Sequence, residues 1–440
     1  MKALLLALAI NWNADLTQLA NELPKTHPNP FRKTTQQAFL ADVEQLRARA
    51  PQLQPHEVVV DMARIVATIA DGHTRLSLPI DDNYGLFHPH VKNTLPKEQA
   101  LWFHAIPLRF TIQNDALFTI DGRRVARIGH MTAEDAMKAV APVAPADNDW
   151  QRKDFVAAYL SIPEVLHARG VIASLDQVPV TFADGTSVVE KPAPPPASRP
   201  VKTPWSFEYL KDEKAVWFDY HEVLNSKNET LASFADRMFR FIDEQPVETL
   251  IIDMRDNYGG NNSLNEPLLH GIIRSKELQA PGSLFVLIGR RTFSAATMFA
   301  VDLEEHTNAI FLGEPTGGAP LSYGDSKKIN LPESGLLLRV SRLYWQMSDP
   351  RDQRDTLTPH FQTDDPRAIA LDYFGAPAKE GKWEGVVTLD HERRAITIVN
   401  GEVVSDLKDY KFDLRLGSKR AAGTMNVNGI EYLVTAERRE

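Results

Sequence analysis

LFVLIGRRTFSAATMFAVDLEEHTNAIFL, residues 284–312, decides the fold. It opens on the apolar run Leu284 to Ile288, the length and composition of a buried strand. A helical stretch from about Ala295 to Glu305 follows, and then a second apolar run, Ala309 to Leu312. Strand, helix, strand in that order is the unit of a parallel sheet, because the helix carries the chain back across one sheet face. Upstream the same alternation recurs: a strand at Ala215 to Tyr220, an amphipathic helix through Leu231, Phe234, Met238 and Ile242, and a strand at Thr249 to Asp253. The fold class is therefore α/β, a mostly parallel sheet with covering helices.

Outside this block the texture changes. From about Asp15 to His73 the pattern is helical, clearest where Val59, Met62, Ile65, Val66 and Ile69 repeat at three- and four-residue spacing before the stop signal Asp71-Gly72. Ala116 to Ile120, Asp121-Gly122 and Arg124 to Ile128 read as one hairpin. Thr132-Ala-Glu-Asp135 then caps a short helix, and Val178 to Phe182, Asp184-Gly185 and Ser187 to Val189 read as a second hairpin. Repeated prolines from Lys191 to Pro200 favour an extended spacer. From about Gly385 hairpin signals return, with Asn400-Gly401 and Asn428-Gly429 as turns. The expected organisation is an N-terminal helical region at 1–80, a β segment at 81–190, a linker at 191–204, the α/β core at 205–375 and a small β unit at 385–440.

The chain has 440 residues, enough for about two to four folded units. With 43% hydrophobic and 24% charged residues its composition is that of a folded globular protein. A formal net charge of −9 without a long basic run argues against a nucleic-acid partner. The absence of cysteine removes disulfides, thiolate nucleophiles and thiolate metal sites. The start MKALLLALAINW resembles a clipped secretory signal, which would place the protein in the periplasm or outside the cell, and reads equally as the beginning of the first helix, which leaves the cytoplasm open. No stretch is long and apolar enough to span a bilayer.

Several segments end where open α/β sheets put their sites, at strand tips and helix starts. In Asp253-Met-Arg-Asp-Asn-Tyr-Gly-Gly260 the paired Gly259 and Gly260 let backbone N–H groups approach a ligand closely, as an oxyanion hole requires, although such pairs also serve as plain tight turns. Ser294 opens a helix directly after a strand, where the helix N-terminus and the amide of Ala295 favour a developing negative charge; a serine there is otherwise an ordinary cap. Gly313-Glu-Pro-Thr-Gly-Gly318 lacks the Gly-Lys-Ser/Thr of a phosphate loop. His88-Pro-His90 has no third metal ligand at sensible spacing, His221-Glu222 lacks the second histidine of a zinc-protease helix, and no serine lies in Gly-x-Ser-x-Gly.

Together "DGHTRLSL", "IIDMRDNYGGN", "TFSAATMFA" and "FLGEPTGG" resemble the tail-specific (C-terminal processing) protease family, which includes the tricorn protease and the repeats of interphotoreceptor retinoid-binding protein. The resemblance covers roughly 205 to 375 and, more loosely, the N-terminal helices and a degenerate PDZ-like stretch near 101 to 142. It implies a crotonase-like ββα core, Ser294 as nucleophile, a peptide or protein substrate, and acyl-enzyme chemistry without metal or cofactor. One departure matters: where the processing proteases carry a general-base lysine, this chain has Ala319, and nothing in the spacing brings Lys327 or Lys328 to the serine. His73 matches the histidine of the tricorn-like branch, and imidazole is neutral near pH 7, as a base must be. Family register favours Asp352 as the orienting acid, with Asp349, Asp355 and Glu314 as alternatives. At an ordinary histidine pKa, kcat/KM would rise through about 6 to 7. Two rival readings use the same core: a non-catalytic binding protein, and an esterase or other small-molecule acyl hydrolase.

Overall fold

Six strands form the sheet foreseen from residues 284–312, and the computed structural model describes it within residues 10–80, 102–193, 203–389 and 392–439. Its order is 361–362, 310–313, 284–288, 249–253, 215–220 and 205–210, all parallel except the antiparallel edge strand Trp205–Leu210. Leu284–Ile288 lies at the centre and is buried throughout, as an uninterrupted apolar run must be. One face is covered by the helices Leu231–Glu244, Glu266–Arg274 and Ala295–His306, whose apolar sides join the core around Phe218, Phe234, Leu250, Val286 and Phe299. Thr230 caps the first of these, its Oγ1 accepting from Ser233 N at 3.1 Å.

Two compact units divide the chain, 202–321 with 346–440, and 1–201 with 322–345. The segment 322–345, which lies inside the 205–375 stretch, thus packs with the N-terminal part. Two bonds show why: the Asp15 carboxylate accepts from Glu333 N at 2.8 Å and Ser334 N at 3.1 Å. The strand Leu337–Val340 also takes Arg75–Leu76 as an antiparallel neighbour, pairing Arg75 with Arg339.

In the N-terminal unit the helices Trp12–Thr26, Gln36–Arg49 and Pro55–Ala67 share one core, and Val59, Met62, Ile65 and Val66 are fully buried, matching the periodic reading. The hairpin expected from 116 to 128 forms elsewhere. Ala116–Thr119 pairs with Phe110–Gln113 across Asn114 and Asp115, both at positive φ, and touches Arg124 through a single bridge. Val125–Ile128 instead joins a four-stranded sheet ordered 131–132, 125–128, 178–182, 187–190, which buries Val125 and Ile128. Asn114-Asp115 makes the longer hairpin, because two successive positive-φ residues match the strand twist, while Asp121-Gly122 still turns the chain, with Thr119 N donating to Arg123 O at 2.9 Å, but its strands pair only at that bridge. Thr132 caps Ala133–Val140, and Val178–Phe182 pairs with Ser187–Glu190 as expected.

Residues 382–439 build a six-stranded antiparallel sheet, and both Asn-Gly turns take positive φ at each residue. No helix among the described residues is long and apolar enough to cross a membrane. The signal-like start through residue 9, most of the linker at 191–204, and His88 with His90 lie outside the described residues.

Phe299 has no exposed surface and meets Tyr220 edge-on at 6.1 Å, so Phe299→Ala should cost about 3–5 kcal/mol in chemical denaturation. A loss below about 1 kcal/mol would mean that this side of the sheet is not a packed core.

Candidate functional site

After Ile288 the chain must leave the buried strand and start a helix within a few residues, and it does so by pinning each peptide. Thr292 Oγ1 accepts from Gly289 N at 3.0 Å and donates to Met254 O at 2.8 Å, while Phe293 N donates to Asn257 O at 3.1 Å. Ser294 is then forced to φ 56°, ψ −128°, a conformation that costs a residue with a Cβ about 1–3 kcal/mol. Its side chain does not cap the helix that begins at Ala295, and it is partly exposed.

Gly259 closes against this turn, and Gly260 against Val223. Gly259 and Gly260 have φ of 97° and 147°. A Cβ on Gly259 would sit 2.7 Å from both Ala295 N and Phe293 O and 2.8 Å from Ser294 Cβ; on Gly260 it would sit 2.1 Å from Val223 O. Only glycine permits this approach. Gly259 N is spent on Asn257 Oδ1 at 2.9 Å, but the N–H groups of Gly260 and Ala295 make no hydrogen bond among the described residues. Ser294, Gly259, Gly260 and Ala295 are therefore brought together, with two amides available beside the hydroxyl-bearing residue. Sequence reasoning missed Asn265, whose Nδ2 donates to Ala295 O at 3.1 Å and whose Oδ1 accepts from the buried Tyr220 hydroxyl at 2.6 Å. An asparagine before a helix gives no signal of that role.

The four candidate acids of this unit each meet their own environment. Glu314 is held by Arg290, with Nε at 2.8 Å from Oε2, and Asp349 by Arg351 at 2.6 and 2.9 Å. Asp352 is buried and bound by Arg354, which also grips Glu304 at 2.7 and 3.0 Å. Burial pushes Asp352 up, but the hydrogen bonds and charge of Arg354 outweigh it and hold the carboxyl below its ordinary range. Asp355 is exposed.

His73 belongs to the N-terminal unit, in the turn Asp71 to Thr74 that follows the third helix and is closed by Thr74 N donating to Asp71 O at 3.1 Å. Its backbone N–H donates to Asp71 Oδ1 at 2.9 Å, and its Nδ1 lies 4.0 Å from the same oxygen. Asp71 is fully enclosed, and its Oδ2 accepts from His27 Nε2 at 3.1 Å and Thr74 Oγ1 at 2.5 Å. The imidazole also bonds the backbone of Tyr323. Burial pushes His73 down to about 4; Asp71 opposes this, and Arg75 and Arg339 reinforce it. The sequence shows neither this burial nor the two arginines paired across the adjoining strands. Lys327 and Lys328 are exposed on the surface strand Lys327–Asn330, with Lys327 Nζ 3.2 Å from Glu22. Ala319 is partly exposed in the other unit.

Residues 269–363, which include Ser294, match the profile of peptidase family S41. Among solved structures, mature CPAF complexed with lactacystin is similar at 11% identity, with 82% of this chain and 96% of that chain covered and a TM-score of 0.54. Mature CPAF alone gives 11% identity, 82% and 95% coverage and a TM-score of 0.51. The photosystem II D1 C-terminal processing protease gives 13%, 82%, 95% and 0.44. No curated protein sequence matches the chain. The family match and the shared α/β fold support a serine-type peptidase.

Arg354 faces two acidic groups that are almost without solvent, so Arg354→Met should destabilise the protein by about 3–5 kcal/mol at neutral pH. The loss should shrink as the medium is acidified and the carboxylates take up protons. A loss independent of pH would contradict the ion-pair account.

Proposed function

We propose that the chain hydrolyses peptide bonds in the manner of a tail-specific protease, through an acyl-enzyme on Ser294 with His73 as general base. The observation that carries this is the strained Ser294 beside the unspent amides of Gly260 and Ala295. Such strain is kept only where surrounding structure enforces it, and here it coincides with two donors suited to an oxyanion. In the first step Ser294 Oγ bonds the scissile carbonyl carbon, its proton passes to His73, and the carbonyl oxygen becomes the oxyanion held by the two N–H groups. His73 then returns the proton to the leaving amine as the C–N bond breaks. Water repeats the sequence on the ester and frees Ser294. Asp352, on the family resemblance, is the acid proposed behind the base. The same reading takes the parallel sheet as a crotonase-like core, the stretch near 101 to 142 as a degenerate PDZ-like element, and an extracytoplasmic location from the signal-like start.

Ser294→Ala should lower kcat by on the order of 10³ or more with an unchanged fold, and His73→Ala similarly, whereas Lys327→Ala and Lys328→Ala should stay near wild type. A lysine variant that dies while His73→Ala survives would return the base to lysine. Peptide and ester substrates compared at equal concentration decide the reaction class, and a rate confined to small esters would contradict the peptidase.

The depressed His73 pKa gives a sharper expectation. A base titrating near 4 is already neutral at pH 5, so kcat/KM at pH 5 should lie close to its value at pH 7. A histidine at its ordinary value would instead be slower at pH 5 by roughly twentyfold. A pH profile of kcat/KM in buffers of constant ionic strength separates the two.

A further inference from the structure

Gly72, between the third helix and His73, is gripped from both sides by carboxyl groups. Asp71 precedes it, bonded to His73 N, His27 Nε2 and Thr74 Oγ1. Asp147, from the loop before the helix Asp149–Tyr159, accepts from Gly72 N through Oδ1 at 2.7 Å. The Asp147 backbone is fixed in turn, its N–H donating to Gln151 Oε1 at 2.8 Å, and Gln151 fills the space that a Cβ on Gly72 would need, at 2.4 Å. Asp147 Oδ2 is buried and has no hydrogen-bond partner among the described residues. A carboxylate oxygen stranded in this way is costly, whereas a carboxylic O–H is a far smaller burden there.

We propose that Asp71 and Asp147 act together as positioning residues for His73, Asp71 as the carboxylate that holds its backbone and faces its ring, Asp147 as the neutral carboxyl that fixes the preceding peptide. The proposal deepens the reading of His73 as base and rests on it. Two interacting carboxyls enclosed on either side of one peptide do not both ionise readily at ordinary pH. Burial and then the Asp71 charge push Asp147 up to about 8, against the Gly72 amide and Arg32. Asp71, which burial would also raise, is kept ionised by the His27 bond, the facing His73 and the Thr74 bond. The charged and titratable groups around the pair are thus His27 and Arg32 beyond the first helix, His73 itself, and Arg75 with Arg339 on the adjoining strands. At neutral pH the turn carries one negative charge, aimed at the imidazole. When Asp147 ionises, a second charge repels the first across Gly72 and the turn that sets His73 is loosened.

The sign of the linkage makes this testable without substrate. Asp147 holds its proton in the folded protein up to about 8 but releases it near 4 when unfolded, so the folded state binds more protons between these values. Its contribution to stability falls as pH rises through that window and is level above it. Asp147→Asn mimics the protonated acid and removes the fall. The full-length protein and this variant are to be melted from pH 5 to pH 9, and kcat/KM measured over the same range. The Tm gap in favour of the variant should widen up to about pH 8 and then level, and the wild-type rate should drop from pH 7 to pH 9 through kcat rather than KM while the variant's ratio stays near one. Asp71→Asn should lower kcat by on the order of tenfold or more with little change in KM, with Asp71→Glu restoring part of it; if Asp71→Asn does not fold, the Asp147→Asn comparison decides. A Tm gap constant with pH and superimposable rate profiles would overturn the proposal. Wild-type protein without hydrolysis at any pH would instead remove the catalytic reading, and the melts alone would then decide the carboxyl pair.

Discussion

The contact on which the α/β unit turns is the approach of two backbones, Gly259 against Phe293 to Ala295, with the next residue, Gly260, pressed against Val223. It is too close for any Cβ on the glycine side. It exists because the strands 249–253 and 284–288 are parallel neighbours, so their C-terminal tips emerge side by side and the loops that follow must pass one another. Thr292 and Asn257 lock that passage with hydrogen bonds. The positive φ of Ser294 is the price of leaving a buried strand and entering a helix in so few residues. In return the first amide of the helix and the amide of the second glycine are left without internal duties, which is the arrangement that negative charge stabilisation needs.

A different constraint governs the N-terminal unit. There a histidine is surrounded by groups that pull its protonation in opposite directions. Arg75 and Arg339, paired across two strands, favour the neutral ring, and Asp71 favours the charged one. Burial tips the balance to neutral. The Asp71 carboxylate lies 4.0 Å from the ring and would favour any proton it took up. In the other unit Glu314, Asp349 and Asp352 are each held by an arginine instead.

How far the sequence carried the reading follows from what each kind of signal reports. Apolar runs such as Leu284 to Ile288 report burial directly, so the parallel sheet and its helices were legible with their bounds nearly right. Asn-Gly turns at 400 and 428 specify positive φ at both residues, so the final hairpins were legible too. Asp121-Gly122 misled, because the stronger hairpin turn is Asn114-Asp115 and the buried side chains Val125 and Ile128 were claimed by another sheet. That Gly259, Gly260 and Ser294 sit at a strained strand-to-helix passage was legible because glycine pairs and helix starts carry local meaning. Asp147 and Asn265 were not, since each matters through a partner tens of residues away in the chain. Asp71 was read as a helix stop, whereas the helix already ends at Ala67 and Ala70 takes the positive φ; the bonds of Asp71 to His27 and to the peptide of His73 needed the fold to appear.

The central claim is that Ser294 is an activated nucleophile, and covalent capture tests it most directly. The protein is to be incubated with a fluorophosphonate at neutral pH, digested, and the adduct located by peptide mass spectrometry. The account predicts a single phosphonylated residue, Ser294, with labelling slowed by at least an order of magnitude in His73→Ala. No adduct on folded protein, or an adduct on another serine, would contradict it.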